Sequence, residues 1–254
     1  MRQALAVTAK APRPGFVKTR LYGALSVDDA TDLYRCFLKD TLALVESIPG
    51  IEVLISYTPE GSEGFFEGVI SSGARLLAQR GDGLGDRLIH AFEDLFGEGF
   101  DSVALMNADS PTLPPSYVAQ AFEELRRPGD RVVVGPAEDG GYYLIGIKRL
   151  HRRLFERITW SSERVLAETI ERAIEIKLEV TLLPQWYDVD SVAGFERLKR
   201  DMIEAQRRTL SHTPASSPCA RQNVSYDDEF SLAATHTRDF ILSRWPDTSA
   251  AQTK

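Results

Sequence analysis

Cysteine and histidine are scarce in this chain, and their placement excludes several chemistries at once. The two cysteines, Cys36 and Cys219, stand far apart without a CxxC pair, so a disulfide framework or structural zinc site is not expected. That usage predicts a reducing cytoplasm. The four histidines are scattered and no G-x-S-x-G occurs, which leaves serine or cysteine nucleophilic catalysis without apparatus. No G-x-G-x-x-G follows the first apolar run, and Gly15-Phe16-Val17-Lys18-Thr19 lacks the glycine that a P-loop places before its lysine. No stretch reaches the ~20 apolar residues of a membrane span. The opening Met1-Arg2-Gln3 leads at once into a strand pattern, so no signal peptide is predicted. The net charge is −7 and no basic face is evident beyond one loop, which argues against a nucleic-acid partner.

What is present is an ordinary globular composition, 43% hydrophobic over 254 residues. Apolar strand-type runs alternate with helical periods. Strands are predicted near 4–9, 52–57, 75–79, 101–108, 132–134, 142–147 and 178–183, the fifth and sixth joined as a hairpin. Helices are predicted after Ser26, after Gly83, from Pro114, after Trp160-Ser161-Ser162, and from Val192 to about Arg208. This order predicts an α/β fold, a mostly parallel twisted sheet with helices on both faces. Residues 1–208 read as one domain and 209–254 as linker and tail. Ser211–Pro218 has linker composition, while Phe230, Ala234, Thr237, Ile241 and Trp245 recur at helical spacing. Those five residues could dock as one amphipathic helix on the domain or on a second copy, giving a homodimer; disorder is the competing reading.

In such sheets ligands sit beyond the carboxyl ends of the strands. Four flagged loops follow strands. The first, Lys10 to Arg20, carries Lys10, Arg13, Lys18 and Arg20, stiffened by Pro12 and Pro14. Cations gathered this way in an acidic protein suit an anion, phosphate above all; a solvated basic loop is the alternative. The second, Gly81 to Asp86, has glycines at alternating positions that permit close approach of a ligand, or merely a strand-to-helix turn. The others carry acids: Asp109 before Ser110-Pro111, and Glu138-Asp139. Asp188 and Asp190 add two more, spaced to share one side of an extended segment. Asp109 alone would read as a turn former. Carboxylates converging on a crevice beside a cationic loop are what a magnesium–phosphate complex needs.

Taken together, Lys10-x-Pro12-Arg13-Pro14-Gly15-x-x-Lys18-Thr19-Arg20, Asp109-Ser110-Pro111, Glu138-Asp139-Gly140-Gly141-Tyr142, Trp160-Ser161 and Asp188-Val189-Asp190 resemble a bacterial family of the nucleotide-diphospho-sugar transferase (GT-A) superfamily. Its members are labelled glycosyltransferase-like or cofactor-guanylyltransferase-like. The resemblance covers about residues 2–205 and leaves the tail unmatched. It implies a transferase that moves a group from a nucleotide donor, an NTP or an NDP-sugar, to a small-molecule acceptor with Mg²⁺ or Mn²⁺. It implies that Lys10, Arg13, Lys18 and Arg20 hold phosphates and that Gly83, Leu84 and Gly85 approach the base. Asp109, Asp190 and Asp188 would hold the metal. Asp139, Gly140, Gly141, Tyr142 and Trp160 would face the acceptor. Lys18 and Asp109 are the expected catalytic pair. The superfamily's D-x-D begins here with Asn107, which removes one charged ligand. That departure keeps a noncatalytic nucleotide-binding protein of the same fold as the alternative function.

Overall fold

The computed structural model describes residues 1–70, 74–211 and 234–246. Seven strands form one sheet: β1 (Gln3–Lys10), β2 (Ile51–Thr58), β3 (Arg75–Ala78), β4 (Ser102–Asn107), β5 (Arg131–Pro136), β6 (Tyr142–Ile147) and β7 (Glu179–Leu182). Their order is β3-β2-β1-β4-β6-β5-β7. Every pairing is parallel except those of β6, which runs antiparallel to both β4 and β5. The predicted hairpin is therefore present, and the sheet is the mostly parallel α/β sheet that the alternation of elements predicts. Because β6 is reversed, its first residue, Tyr142, lies at the same edge as the last residues of β1, β4 and β5. Three sequence-distant loops, those after β1 and β4 and the β5–β6 turn, consequently meet on one rim.

Alternate residues of the central strands feed two cores. Leu5, Val7, Ala104 and Met106 pack beneath α1 (Val27–Glu46) and α3 (Pro115–Arg126), through Leu38, Leu42, Val118 and Phe122. Ala4, Ala6, Val103 and Leu105 face α2 (Leu84–Gly97) and α4 (Val165–Glu175), through Phe92, Leu95 and Ala173. Burial on both sheet faces explains why β1 and β4 read as continuous apolar runs. Ser26 caps α1 by accepting from the Asp29 amide at 3.0 Å, as its position before the helical period predicts.

A third cluster lies on the outer side of α1. It joins Leu33 and Phe37 to α5 (Val192–Ser211) and to α6 (Thr235–Arg244). Asp40, 1% exposed, accepts hydrogen bonds from the amides of His236 (2.9 Å) and Thr237 (2.8 Å). A carboxylate on one helix thus caps the amino end of another. Ala234, Thr237 and Ile241 of the predicted tail helix are buried against this chain's own α1 and α5. Phe230 and the linker residues 212–218 lie outside the described residues. No described helix is long and apolar enough to cross a membrane.

Candidate functional site

A cleft of about 780 Å³ opens along the shared rim. Its floor is the carboxyl end of β1 and β4, with Thr8, Lys10 and Asn107. Beyond β1 the chain cannot continue as strand, because Pro12 and Pro14 restrict it and the Arg13 amide turns back to the Ala11 carbonyl at 2.7 Å. The loop closes on a short 3₁₀ turn, Thr19–Leu21, and Lys18 enters that turn with φ +50°. A lysine in the left-handed region stores strain that its surroundings must overcome.

The Lys18 side chain is 3% exposed, and its Nζ donates to Asp109 Oδ1 (2.5 Å), Asp190 Oδ1 (2.6 Å) and the Val189 carbonyl (3.0 Å). An ammonium has three N–H donors, so all are used. Burial by itself would lower the Lys18 pKa; the two carboxylates outweigh it and hold the group charged, above its ordinary value. The Val189 amide also donates to the Asp109 carbonyl at 2.9 Å, which ties the two acid-bearing segments together through their backbones.

Asn107 lines the cleft, and its Oδ1 accepts the Asp109 amide at 3.1 Å. Its side chain shapes the turn that presents Asp109. Asp188 is held back from the lining, and its pKa is pushed up to about 6 by burial first, then by Asp139 and Asp190. Among the described residues, no group of three or more His, Cys, Asp or Glu is placed to hold a metal. Of the three expected carboxylates, Asp109 and Asp190 line the cleft and Asp188 does not. These two do present oxygens to one point, which fits the chemistry of a hard divalent cation completed by phosphate and water. At that point stands the Lys18 ammonium.

The opposite wall comes from the β5–β6 turn and the approach to α4. Gly140 has φ +87°, and a Cβ on it would lie 2.2 Å from the Glu163 carbonyl oxygen, so only glycine fits there. Leu166 donates to the Gly140 carbonyl at 2.9 Å. Glu168 accepts from the Thr159 amide (2.6 Å) and hydroxyl (3.0 Å), which fixes the chain just before Trp160. The Trp160 indole lies over Gly85, whose added Cβ would meet Nε1 at 2.8 Å.

Of the residues singled out from the sequence, Lys10, Lys18, Arg20, Leu84, Asp109, Asp139, Gly141, Tyr142, Trp160 and Asp190 line this one cleft. Gly83, Gly85, Gly140 and Asp188 are not in the lining, although Gly85 packs on Trp160 and Gly140 on Glu163, which are. Arg13 is not in the lining; its guanidinium stacks 3.4 Å over the ring of Phe16, which is. Reading the sequence missed Gln79, Arg87, Ser162 and Glu163. Arg87 closes the glycine-rich stretch and could have been included, whereas nothing about Glu163 marks it before the fold is known.

The family model described as "uncharacterized protein conserved in bacteria (DUF2064)" matches residues 41–162. A crystal structure from Desulfovibrio desulfuricans G20, described as a "putative nucleotide-diphospho-sugar transferase", is 30% identical. The match covers 94% of this chain and 98% of that one, with a TM-score of 0.73. The CTP complex of CMP:2-keto-3-deoxy-manno-octonic acid synthetase is 14% identical over 82% of this chain and 100% of that one, TM-score 0.53. A cytidylyltransferase from Leptospira borgpetersenii serovar Hardjo-bovis (strain JB197) is 16% identical over 85% and 98%, TM-score 0.52. These last two share the fold. No curated protein matches the chain.

Proposed function

The chain belongs to the bacterial family of nucleotide-diphospho-sugar transferase type, and on that premise we propose that it transfers a glycosyl group from an NDP-sugar to a small-molecule acceptor. The supporting observation is the distribution of positive charge. Lys18 is committed to Asp109 and Asp190, while Lys10, Arg20 and Arg87 line the same cleft with no ion pair among the described residues. Three available cations suit the phosphates of a nucleotide donor, and the family resemblance favours a sugar diphosphate.

In the transfer, an acceptor hydroxyl oxygen bonds to the anomeric carbon as the bond from that carbon to the diphosphate oxygen breaks. The electron pair leaves with the nucleoside diphosphate, whose growing charge Lys10 and Arg20 offset. The hydroxyl proton passes to Asp139, whose Oδ1 is steadied by the Gly141 amide at 2.8 Å. Asp109 and Asp190 are the residues that would hold Mg²⁺, in place of the Lys18 ammonium, and the metal would supply positive charge beside the departing diphosphate.

A second reading, nucleotidylyl transfer from an NTP, draws on Lys18. Were its ammonium released from the carboxylates, the cleft would offer a fourth cation beside Lys10, Arg20 and Arg87, which favours the more highly charged triphosphate. Thermal-shift measurements on the full chain, with panels of NDP-sugars and NTPs and with or without Mg²⁺, separate the two. The expected result is stabilisation by NDP-sugars that Mg²⁺ enhances and Asp109→Ala abolishes, with at least ~100-fold loss of turnover in that variant. Stabilisation by NTPs alone, with pyrophosphate released, selects the second reading. Nucleotide binding without turnover of any donor would leave a noncatalytic binding protein, and no stabilisation by either panel removes all three.

A further inference from the structure

The two walls of the cleft carry opposite charge, and this bears on what the acceptor is. Every cation lining the cleft comes from the β1 loop or from α2: Lys10, Lys18, Arg20 and Arg87. The wall built from the β5–β6 turn and the approach to α4 contributes Asp139, Tyr142, Trp160, Ser161, Ser162 and Glu163. It contains two carboxylates, two serine hydroxyls and an indole, and no cation, while the Tyr142 hydroxyl is itself buried.

The charged neighbours of that wall do not alter its sign. Arg164, the next residue along, pairs with Glu168 at 2.9 Å and is not in the lining. Arg197 pairs with Glu138 at 2.7 Å, also outside it. Asp139 and Glu163 have no ion pair among the described residues. Their positions are built in: Asp139 holds the Gly141 amide, and the Glu163 backbone is packed against Gly140, where no Cβ could fit.

From this partition, and resting on the donor reading above, we infer that the acceptor is an uncharged polyhydroxylated molecule, a sugar or sugar-like polyol without a phosphate. A phosphate brought against Asp139 and Glu163 would place like charges together with no cation to separate them. Vicinal hydroxyls, in contrast, donate well to carboxylate oxygens, and the apolar face of a sugar ring packs on an indole. The acids on this wall act as a filter against phosphorylated acceptors as well as a grip on neutral ones.

The test is calorimetric titration of the full chain with a matched pair, methyl glucoside and glucose 6-phosphate. Each is titrated without nucleotide and with Mg²⁺ plus a mixture of UDP and GDP. The expected result is at least tenfold tighter binding of the neutral sugar. Asp139→Asn combined with Glu163→Gln should narrow that preference to threefold or less, while the thermal shift given by the nucleotides stays as in the parent. Equal or tighter binding of the phosphorylated sugar, a preference unchanged in the double variant, or no binding of either sugar overturns the inference. Failure of the nucleotides to stabilise the protein overturns the donor reading instead, and the sugar preference is still scored from the nucleotide-free titrations.

Discussion

The Lys18 ammonium lies 2.5 Å from the Asp109 carboxylate, joining residues 91 positions apart in the chain. With Asp190 at 2.6 Å on its other side, one cation balances two acids at the centre of the cleft. A divalent metal and this ammonium would need the same two oxygens. Lys18→Ala should therefore have two effects of opposite sign. Leaving Asp109 and Asp190 facing one another should cost about 2 kcal/mol of stability at neutral pH, measured by urea unfolding. The same change should raise affinity for Mn²⁺ by about tenfold or more, measured by calorimetry. Weaker Mn²⁺ binding in Lys18→Ala would mean that the lysine supports a metal rather than standing in its place.

Gly140→Ala tests the acceptor wall. The substituted Cβ meets the Glu163 carbonyl at 2.2 Å on a backbone with φ +87°. Loss of about 2 kcal/mol or more is expected, because neither backbone segment can move without disturbing the Leu166 bond to Gly140. A melting temperature within a degree of the parent would show that this turn is not held as described.

Asp40 tests the tail helix. Replacing it with Ala leaves two amides at the start of α6 without their acceptor, for which about 2 kcal/mol is expected. Hydrogen exchange supplies the specific readout. The His236 and Thr237 amides should lose protection in Asp40→Ala while the amides of β1 and β4 keep theirs. Uniform loss across the sheet would instead indicate that α6 and the domain unfold as one unit.

Glu168 gives a pH dependence. Its pKa lies below the ordinary 4.5, first because the Thr159 amide bonds its carboxylate, and further through the Thr159 hydroxyl and Arg164. A carboxyl whose folded pKa is depressed adds stability that is full above about pH 4.5 and is lost as the pH falls through the folded value. The parent should accordingly lose more melting temperature between pH 6 and pH 3.5 than Glu168→Gln does. Parallel curves for the two proteins would show that the Thr159 contacts contribute nothing to folding.

The parts of the fold that local chemistry governs were readable in advance. Pro12 and Pro14 stop β1 whatever surrounds them, Ser26 caps the helix that follows it, and continuous apolar runs at Ala4–Val7 and Val103–Met106 require burial on both faces. The site residues were readable where charge or rigidity clusters in sequence, as at Lys10–Arg20. Arg13 shows the limit of that reasoning. It shares the loop and the charge, yet its guanidinium stacks on a neighbouring aromatic, Phe16, and it is Phe16 that lines the cleft. Asp188 and Asp190 show another limit, because an extended pair two residues apart shares a side, but only Asp190 reaches the Lys18 ammonium.

Composition and motif order by themselves determined the class of the protein: an α/β sheet whose strand-following loops carry cations early and acids late. Tertiary structure alone decided which of those groups meet. The reversal of β6 brings the Asp139–Tyr142 turn to the rim shared by β1 and β4, and the backbone tie from Val189 to Asp109 delivers Asp190 to Lys18. Contacts of that kind depend on strand order and register, which pair residues far apart in the chain. No local pattern encodes them.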